Sequence, residues 1–522
     1  MAYFKVLKND QCIPSDGPSC AYLLTDNWND WWEFETLFHL IIIDNEGNKN
    51  SIGEVKIGQF NMNDGQKQPN LFEHFDQLDE RFFSLGQSDS YYDNLNQLGA
   101  DARDRILRSL RDMALDPELF TRSLTERVTG TSLLRYVSRE TVLGQFRRIA
   151  QGGARLTRYA FEYIFPNPKR SQIAELPLTF EVEPESSPPT NIHVLIGRNG
   201  VGKTTILNNM AIVIVDDKAN QADVGAFRSE NDVLLEEPIF TNLVSVTFSA
   251  FDPFMPLPNR RDKSTGVQYA YIGLKHTGMS KEGKPLPPKS PETLSRDFST
   301  SVMVCRLGAR VDRWRRALEL LEADPIFRDA EVAALARDNL DEESIKTEAL
   351  RLFKGLSSGH KIVLLTITRL VETVEEKTIV LLDEPEAHLH PPLLSAFIRS
   401  LSDLLINRNG VAVIATHSPV VLQEVPKRCV WKIRRSGSRT VAERPDIETF
   451  GENVGILTRE VFGLEVTHSG FHKMLHDVVA REKDYDAIVE CFGGELGSEA
   501  RAIVRGLLAS QETDDDDGAF KC

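Results

Sequence analysis

Two kinds of hydrophobic pattern alternate along the chain, and together they predict an α/β fold. Short apolar runs of strand length occur at residues 37–43, 192–197, 378–383 and 411–416. Between residues 75 and 160, apolar positions recur every three or four residues, which predicts amphipathic helices. Continuous apolar runs of strand length are typical of a parallel sheet that is buried on both faces. The pattern therefore predicts a parallel sheet covered by helices.

A glycine-rich loop follows the run at 192–197 and precedes a predicted helix at 205–214. It fits the pattern G-x-x-x-x-G-K-[ST], in which backbone N–H groups and a helix N-terminus face phosphate oxygens. Lys203 is expected to reach the β- and γ-phosphates, and the Thr204 hydroxyl to bind Mg²⁺. The predicted nucleotide-binding residues are Gly197, Arg198, Asn199, Gly200, Val201, Gly202, Lys203, Thr204 and Thr205.

A pair of carboxylates, Asp383 and Glu384, ends the apolar run at 378–383. Ligands of α/β sheets bind at the carboxyl ends of the strands. Asp383 is therefore predicted to hold Mg²⁺ together with Thr204, and Glu384 to polarise the attacking water as a general base. A solvated surface pair is the alternative, but the phosphate loop favours the metal-binding interpretation.

Three further segments resemble motifs of ABC-type ATPases. The segment 356–360 (LSSGH) resembles the LSGGQ signature, 386–391 (EAHLHP) lies where that family has its D-loop, and His417 lies at the position of the switch histidine. The order of these motifs along the chain is also that of the family. The chain is thus identified as having an ABC-type P-loop ATPase core, with a β-rich N-terminal part and helical insertions.

The resemblance implies an ATP-hydrolysing enzyme that works as a homo-oligomer with Mg²⁺. ATP would lie in a composite site, between Lys203 of one chain and the signature residues of another. His417 would contact the γ-phosphate and position water near Glu384. The implied signature residues are Ser357, Ser358 and Gly359.

The chain departs from the ABC pattern at two places. The signature ends in His360 instead of glutamine, and the glutamine expected after the strand at 243–248 is missing. Ser249 or Asp252 is the expected substitute for the missing glutamine. A further interpretation makes His388, His390 and His417 a metal cluster, since His-x-His is a ligand spacing, but each histidine already has a place in the ATPase pattern.

The segment DEPEAHLHP is followed by THSP. These residues, together with the tryptophan-rich N-terminal block, resemble PtuA-type ATPases of Septu antiphage systems, including retron-linked ones. The resemblance implies a cytoplasmic subunit whose nucleotide state controls an HNH nuclease similar to PtuB. A retron reverse transcriptase and its RNA–DNA hybrid are further implied partners. Two alternatives stay open: an SMC-like ATPase that acts directly on DNA, and a switch that binds ATP without hydrolysing it.

The motifs and composition shifts predict six parts. They are an N-terminal β-rich part of the ATPase lobe (1–74), a helical insertion (75–160), ATPase core with Walker A (161–252), a loop plus helical insertion (253–354), ATPase core with signature, Walker B, D-loop and switch histidine (355–465), and a C-terminal helical region with an acidic tail (466–522). The C-terminal helices are a candidate docking site for a nuclease, because they carry no ATPase motif.

Composition limits the choice of partners. The 522 residues carry a net charge of −16, so the overall field does not attract nucleic acid. A basic stripe of Arg306, Arg310, Arg313 and Arg316 at helical spacing is the candidate phosphate contact, with a solvated helix face as its alternative. Six scattered cysteines favour reduced thiols, and no apolar run approaches the ~20 residues that cross a bilayer. We therefore expect a cytoplasmic protein without a membrane partner.

Overall fold

A computed structural model of the chain contains three β-sheets and the helices around them. It describes residues 3–8, 11, 13, 20–26, 33–43, 48–63, 65–152, 157–166, 176–184, 186–216, 218–229, 239–249, 254–260, 267–278, 286–307, 310–337, 341–436, 439–463 and 470–519. Trp28, Trp31 and Trp32, part of the tryptophan-rich block, lie outside these residues.

The first sheet has six strands and lies at the N-terminal end of the chain. Its strands are β1 (Phe4–Leu7), β2 (Cys20–Thr25), β3 (Leu37–Ile43), β4 (Lys49–Gln59), β5 (His74–Phe75) and β6 (Phe82–Gly86). They are arranged in the order β5-β1-β2-β3-β4-β6, and β3 and β4 form an antiparallel hairpin.

Five short helices follow in this part of the chain. They are α1 (Asp89–Gln97), α2 (Ala100–Ser109), α3 (Pro117–Ser123), α4 (Arg139–Thr141) and α5 (Arg147–Ala150), with π-helical turns at Thr129–Leu133 and Val142–Phe146. All but α4 share one hydrophobic core with the sheet. Residues 74–75 and 82–86 are strands of the sheet and not helix, so the predicted boundary at residue 74 falls inside this sheet. The strands and the helices thus form a single N-terminal unit.

The remaining strands build two sheets. They are β7 (Tyr159–Phe165), β8 (Leu176–Val182), β9 (Ile192–Ile196), β10 (Ala226–Ser229), β11 (Asn242–Thr247), β12 (Gln268–Gly273), β13 (Thr378–Asp383), β14 (Val411–Thr416), β15 (Val430–Ser436) and β16 (Arg439–Glu443). Seven of them form the central sheet, in the order β12-β11-β13-β14-β9-β15-β16. It is parallel except for β16, while β10, β7 and β8 form a separate antiparallel sheet.

Alternate side chains of the central strands enter two different cores. In β13, Ile379 and Leu381 face the core shared with the three-stranded sheet, whereas Val380 and Leu382 face a larger helical core. This two-sided burial explains the continuous apolar runs. The remaining labelled helices are α6 (Lys203–Val215), α7 (Gln221–Val224), α8 (Pro291–Cys305), α9 (Arg310–Leu321), α10 (Pro325–Asp329), α11 (Glu342–Gly355), α12 (Ser358–Thr373), α13 (Pro391–Ile406), α14 (Pro419–Leu422) and α15 (Val454–Phe462).

This architecture confirms the predicted α/β fold with an ATPase core, but it differs within the segment 253–354. There β12, which we expected to be loop, adds a parallel edge strand to the central sheet. Three C-terminal helices, Gly470–Val479, Tyr485–Cys491 and Ser498–Ala519, enclose a small core of their own. No helix among the described residues is long and apolar enough to span a membrane.

A buried ion pair joins the N-terminal unit to the central sheet. Arg148, in α5, lies 2.8 Å from Glu376, which precedes β13 and has a side chain only 4% exposed. Burial raises the pKa of Glu376, and the Arg148 charge opposes that rise. A second contact, from Arg408 to Gln145 at 3.1 Å, lies nearby. The position of the N-terminal unit therefore depends on pairing a buried carboxylate.

We expect Arg148→Met to destabilise the chain by roughly 3 kcal/mol, because Glu376 is then left charged and buried. The pKa of Glu376 is higher in the folded chain than in the unfolded chain. As the pH rises, the unfolded chain therefore loses this proton first, and the folded chain becomes less stable relative to it. The defect should therefore shrink as the pH falls, because the carboxylate of Glu376 becomes protonated. Thermal unfolding measures this, and the Arg148→Met/Glu376→Gln pair should unfold closer to wild type. A pair less stable than Arg148→Met alone contradicts the prediction.

Candidate functional site

Three glycines shape the loop between β9 and α6. A Cβ atom on Gly197 would lie 2.2 Å from the carbonyl oxygen of Ile433, so no side chain fits there. Gly200 and Gly202 have φ angles of +81° and +105°, in the left-handed region that favours glycine. The glycine pattern found in the sequence is thus required by the backbone itself.

Lys203 lies inside this loop, with only 4% of the residue exposed. Its Nζ donates hydrogen bonds of 2.9 Å to the carbonyl oxygens of Gly197 and Arg198. Burial lowers the pKa of the ammonium group, and the carboxylates of Glu384, Asp383 and Glu386 oppose that shift. The lysine is therefore held where the loop curls, close to an acidic cluster.

The two predicted Mg²⁺ ligands lie next to each other. The hydroxyl of Thr204, at the start of α6, donates to Oδ1 of Asp383 over 3.2 Å. Asp383 ends β13, which is separated from β9 by β14 in the sheet. A hydroxyl and a carboxylate oxygen are ligands that Mg²⁺ accepts, so the residues fit a magnesium ion bound together with phosphates.

Glu384 and His417 also approach each other. Glu384 adopts a left-handed conformation (φ 47°), which is uncommon for a side chain other than glycine and strained. Its N–H donates to the carbonyl oxygen of Ala415 over 2.9 Å, and this contact fixes the turn after β13. His417, just beyond β14, has its Nδ1 3.8 Å from Oε1 of Glu384. The predicted general base and switch histidine thus lie side by side.

Glu386 is a functional candidate that the sequence analysis missed. Its Oε1 accepts hydrogen bonds from the Thr416 hydroxyl (2.6 Å) and the His417 N–H (2.8 Å), and lies 3.1 Å from Nδ1 of His417. The Glu386 side chain is 8% exposed. It therefore orients the histidine. In the sequence, the only hint of this role is that Glu386 is acidic and lies three positions after Asp383, in the segment interpreted as a D-loop.

The signature segment begins α12 and packs on the segment after Asp383. Ser357 caps the helix, and its hydroxyl lies 2.7 Å from Nδ1 of His360, whose Nε2 lies 3.1 Å from Oδ1 of Asp324. A Cβ on Gly359 would lie 2.5 Å from the carbonyl oxygen of His388. Glycine at this position thus permits close contact between the two motifs.

The phosphate loop and the signature each present exposed residues within a single chain. Arg198, Asn199 and Gly200 are exposed in the loop, and Ser357 and Ser358 are exposed at the start of α12. Among the described residues, the side-chain hydrogen bonds of Lys203 stay within its own loop and those of Ser357 go to His360. The composite site between two copies stays a prediction.

The basic stripe does not form one helical face, so that expectation is wrong. Arg306 follows α8 and donates to the carbonyl oxygens of Leu335 and Arg337, whereas the other three arginines lie on α9. Arg310 contacts Tyr136 of the N-terminal unit, and Arg316 pairs with Asp403 at 2.5 Å. Arg313 lines a cavity of about 170 Å³ between the unit and the core. The four arginines thus lie on two separate elements and contact different partners.

Two further groups named in the sequence analysis are the alternative histidine cluster and the substitutes for the missing glutamine. His388, His390 and His417 do not form one metal cluster, because His417 contacts Glu386 while His390 lies near Asp324. Ser249 follows β11 and donates its N–H to the Thr247 hydroxyl. Asp252, the other candidate for the missing glutamine, lies outside the described residues.

Comparison with known proteins gives three kinds of similarity. Residues 309–423 match the protein family described as "AAA domain, putative AbiEii toxin, Type IV TA system". The chain is 42% identical to Protein ea59 of Escherichia phage lambda over 536 aligned positions, which cover 98% of this chain and 99% of that protein.

Two solved structures are more distant. The protein cbiO1 from Clostridium perfringens, part of the ABC transporter complex cbiONQ, shares 14% identity with a TM-score of 0.30, covering 62% of this chain and 96% of that one. The ADP conformation of MJ1267, an ATP-binding cassette of an ABC transporter, shares 13% identity with a TM-score of 0.32, covering 60% and 100%. The match at 309–423 spans the signature, Asp383 and His417, so the ATPase fold rests on motifs, geometry and family together.

Proposed function

The chain belongs to the same family as Protein ea59 of Escherichia phage lambda, and we propose that it binds Mg-ATP and hydrolyses it to ADP and phosphate. The observation that carries this proposal is the meeting of Thr204 with Asp383, and of Glu384 with His417, at one edge of the sheet. These pairs come from three different strand ends. Their convergence matches what phosphoryl transfer to water requires.

The proposed reaction uses each group in turn. Lys203 exchanges the carbonyl oxygens of Gly197 and Arg198 for phosphate oxygens, while Thr204 and Asp383 would hold Mg²⁺. The ion, when bound, neutralises charge on the phosphates. Glu384 accepts the proton of the attacking water, and the bond from the γ-phosphorus to the bridging oxygen breaks as the new P–O bond forms. His417, oriented by Glu386, contacts the γ-phosphate.

We expect Glu384→Gln to reduce the hydrolysis rate by about 10²- to 10⁴-fold, because the general base is lost while the cradle is intact. The affinity for ATP should stay within about twofold, since no ligand of the phosphates changes. Phosphate release and fluorescent-nucleotide binding measure the two effects, and Glu443→Gln on β16 is the matched control. Equal turnover by Glu384→Gln and wild type would contradict the assigned base. A wild-type chain that binds ATP without turnover would favour the non-hydrolysing switch.

We also propose that two copies enclose the nucleotide. Ser357 and Ser358 are exposed at the N-terminus of α12, where backbone N–H groups and the helix dipole favour an anion. The phosphate loop is likewise open to solvent at Arg198 and Asn199. A second chain that presented its signature to this loop would complete the cage around the γ-phosphate. The resemblance to ABC-type ATPases supports the same arrangement.

The Glu384→Gln variant should form a dimer when Mg-ATP is added, since the trapped triphosphate links both chains. Ser358→Glu in the same background should keep it monomeric, because a carboxylate then faces the γ-phosphate. Ser90→Glu, an exposed serine in the first turn of α1, is the control and should leave the dimer intact. Analytical ultracentrifugation measures the mass, and a monomer at all ATP concentrations would refute the composite site.

The finer role is a proposal that rests on the resemblance to PtuA-type ATPases. By this resemblance, the nucleotide state of the chain would control an HNH nuclease similar to PtuB. A retron reverse transcriptase and its RNA–DNA hybrid would be further partners. One observation supports a docking face for the nuclease in the C-terminal region. Phe471 and Met474, one helical turn apart in the helix Gly470–Val479, are 48% and 58% exposed. Antiphage defence and location in the cytoplasm belong to the same proposal.

Phe471→Glu with Met474→Glu should abolish co-purification with a co-expressed HNH nuclease similar to PtuB, since charge replaces the apolar contact. Lys473→Glu, on the same helix, is the control and should leave the complex intact. Pull-down from cells that express both proteins measures the outcome. If the double variant retains the nuclease as well as wild type does, the docking assignment is wrong.

A further inference from the structure

Three side chains capable of binding a metal converge beside the signature. Asp324 precedes α10, His360 lies in the first turn of α12, and His390 precedes α13. One ligand atom from each residue lies within 4.8 Å of the others. The three residues come from separate elements that are distant in sequence, so only the tertiary fold brings them together.

The carboxylate of Asp324 faces both imidazoles, through a different oxygen for each, at distances near those between the ligands of a small tetrahedral ion. Nε2 of His360 lies 3.1 Å from Oδ1 of Asp324, and Nε2 of His390 lies 3.6 Å from Oδ2. Metal bonds near 2.0–2.1 Å at tetrahedral angles separate two ligand atoms by roughly 3.3 Å. A distance of 3.6 Å exceeds a hydrogen bond, so simple hydrogen bonding accounts for His360 but not for His390.

The neighbours of these residues hold them in a form suited to metal binding. The Ser357 hydroxyl lies 2.7 Å from Nδ1 of His360. When an ion replaces the hydrogen bond from Nε2 to Asp324, the imidazole proton can move to Nδ1 and be donated to this hydroxyl, which leaves the lone pair of Nε2 for the ion. Oδ1 of Asp324 accepts the backbone N–H groups of Ile326 and Phe327, and these bonds fix the carboxylate. Among the described residues, His390 also accepts a long contact of 3.4 Å at Nδ1 from the Leu393 N–H, and its ring centroid lies 6.0 Å from that of His360.

Burial separates a rigid half of the site from an open half. The Asp324 and His360 side chains are each about 4% exposed, whereas His390 is 50% exposed. His390 thus provides a path from solvent and room for a water molecule as the fourth ligand. Two imidazoles and one carboxylate suit zinc and similar ions, whereas Mg²⁺ prefers oxygen ligands.

We propose that Asp324, His360 and His390 bind one Zn²⁺ ion beside the signature. The ion would fasten the start of α12, which carries Ser357, to the segment that follows Glu386 and to the cap of α10. It would thus hold the signature in a fixed relation to the acidic motif of the same chain. This site does not rest on the proposed ATP hydrolysis, because it shares no ligand with the phosphate loop.

The test is a zinc titration of the full-length, tag-free chain after treatment with a chelator, without nucleotide. We expect wild type to bind one Zn²⁺ that His390→Ser binds at least tenfold more weakly. Serine keeps the capacity to cap α13, so the variant should fold. Asp324→Asn, which also keeps its cap, should weaken binding similarly. His388→Ser, two residues from His390 and outside the trio, is the matched control and should bind as wild type does.

Several results would contradict the assignment of Asp324, His360 and His390 as zinc ligands. Equal zinc affinity in wild type and His390→Ser, weaker binding by His388→Ser, or no binding by wild type at micromolar Zn²⁺ would each do so. X-ray absorption of the wild-type complex adds an independent measurement, with two imidazole ligands and at least one oxygen expected. A spectrum with sulfur ligands would place the ion elsewhere. Because nucleotide is absent throughout, failure of the ATPase proposal would leave these results unaffected.

Discussion

The contact between the Thr204 hydroxyl and the Asp383 carboxylate is the constraint on which the site depends. It joins the start of α6 to the end of β13, although β14 lies between β9 and β13 in the central sheet. Because these strands are parallel, their carboxyl ends meet at one edge. The loop after β9, the carboxylates after β13 and the histidine after β14 therefore converge without any long connection.

Carboxylates outnumber the ammonium group of Lys203 at this edge before any nucleotide binds. Three carboxylates, those of Asp383, Glu384 and Glu386, surround the single ammonium of Lys203, and Glu386 is itself held by hydrogen bonds to the segment 416–417. A triphosphate adds further negative charge, so a divalent cation and the N-terminus of α6 must offset it. This electrostatic requirement links the proposed binding of Mg²⁺ to the proposed binding of ATP.

Local sequence patterns predicted the parts of the site that depend on local geometry. The glycines of the loop, the lysine and the strand-end Asp383-Glu384 pair all follow from backbone shape and strand termini, and the structure explains each one. Contacts between distant segments had no such signal. Glu386 meets His417 across 31 residues and Asp324 meets His360 across 36, because strand order and helix packing bring them together. The prediction of one arginine face was wrong because it assumed a continuous helix, whereas α8 ends before Arg306 and α9 begins at Arg310.

Isothermal titration of ATP into the purified wild-type chain, with and without Mg²⁺, tests the central claim most directly. The account predicts one ATP bound per chain in the presence of magnesium and markedly weaker binding when EDTA removes the metal. An absence of ATP binding in the presence of Mg²⁺, or an affinity that EDTA leaves unchanged, would contradict it.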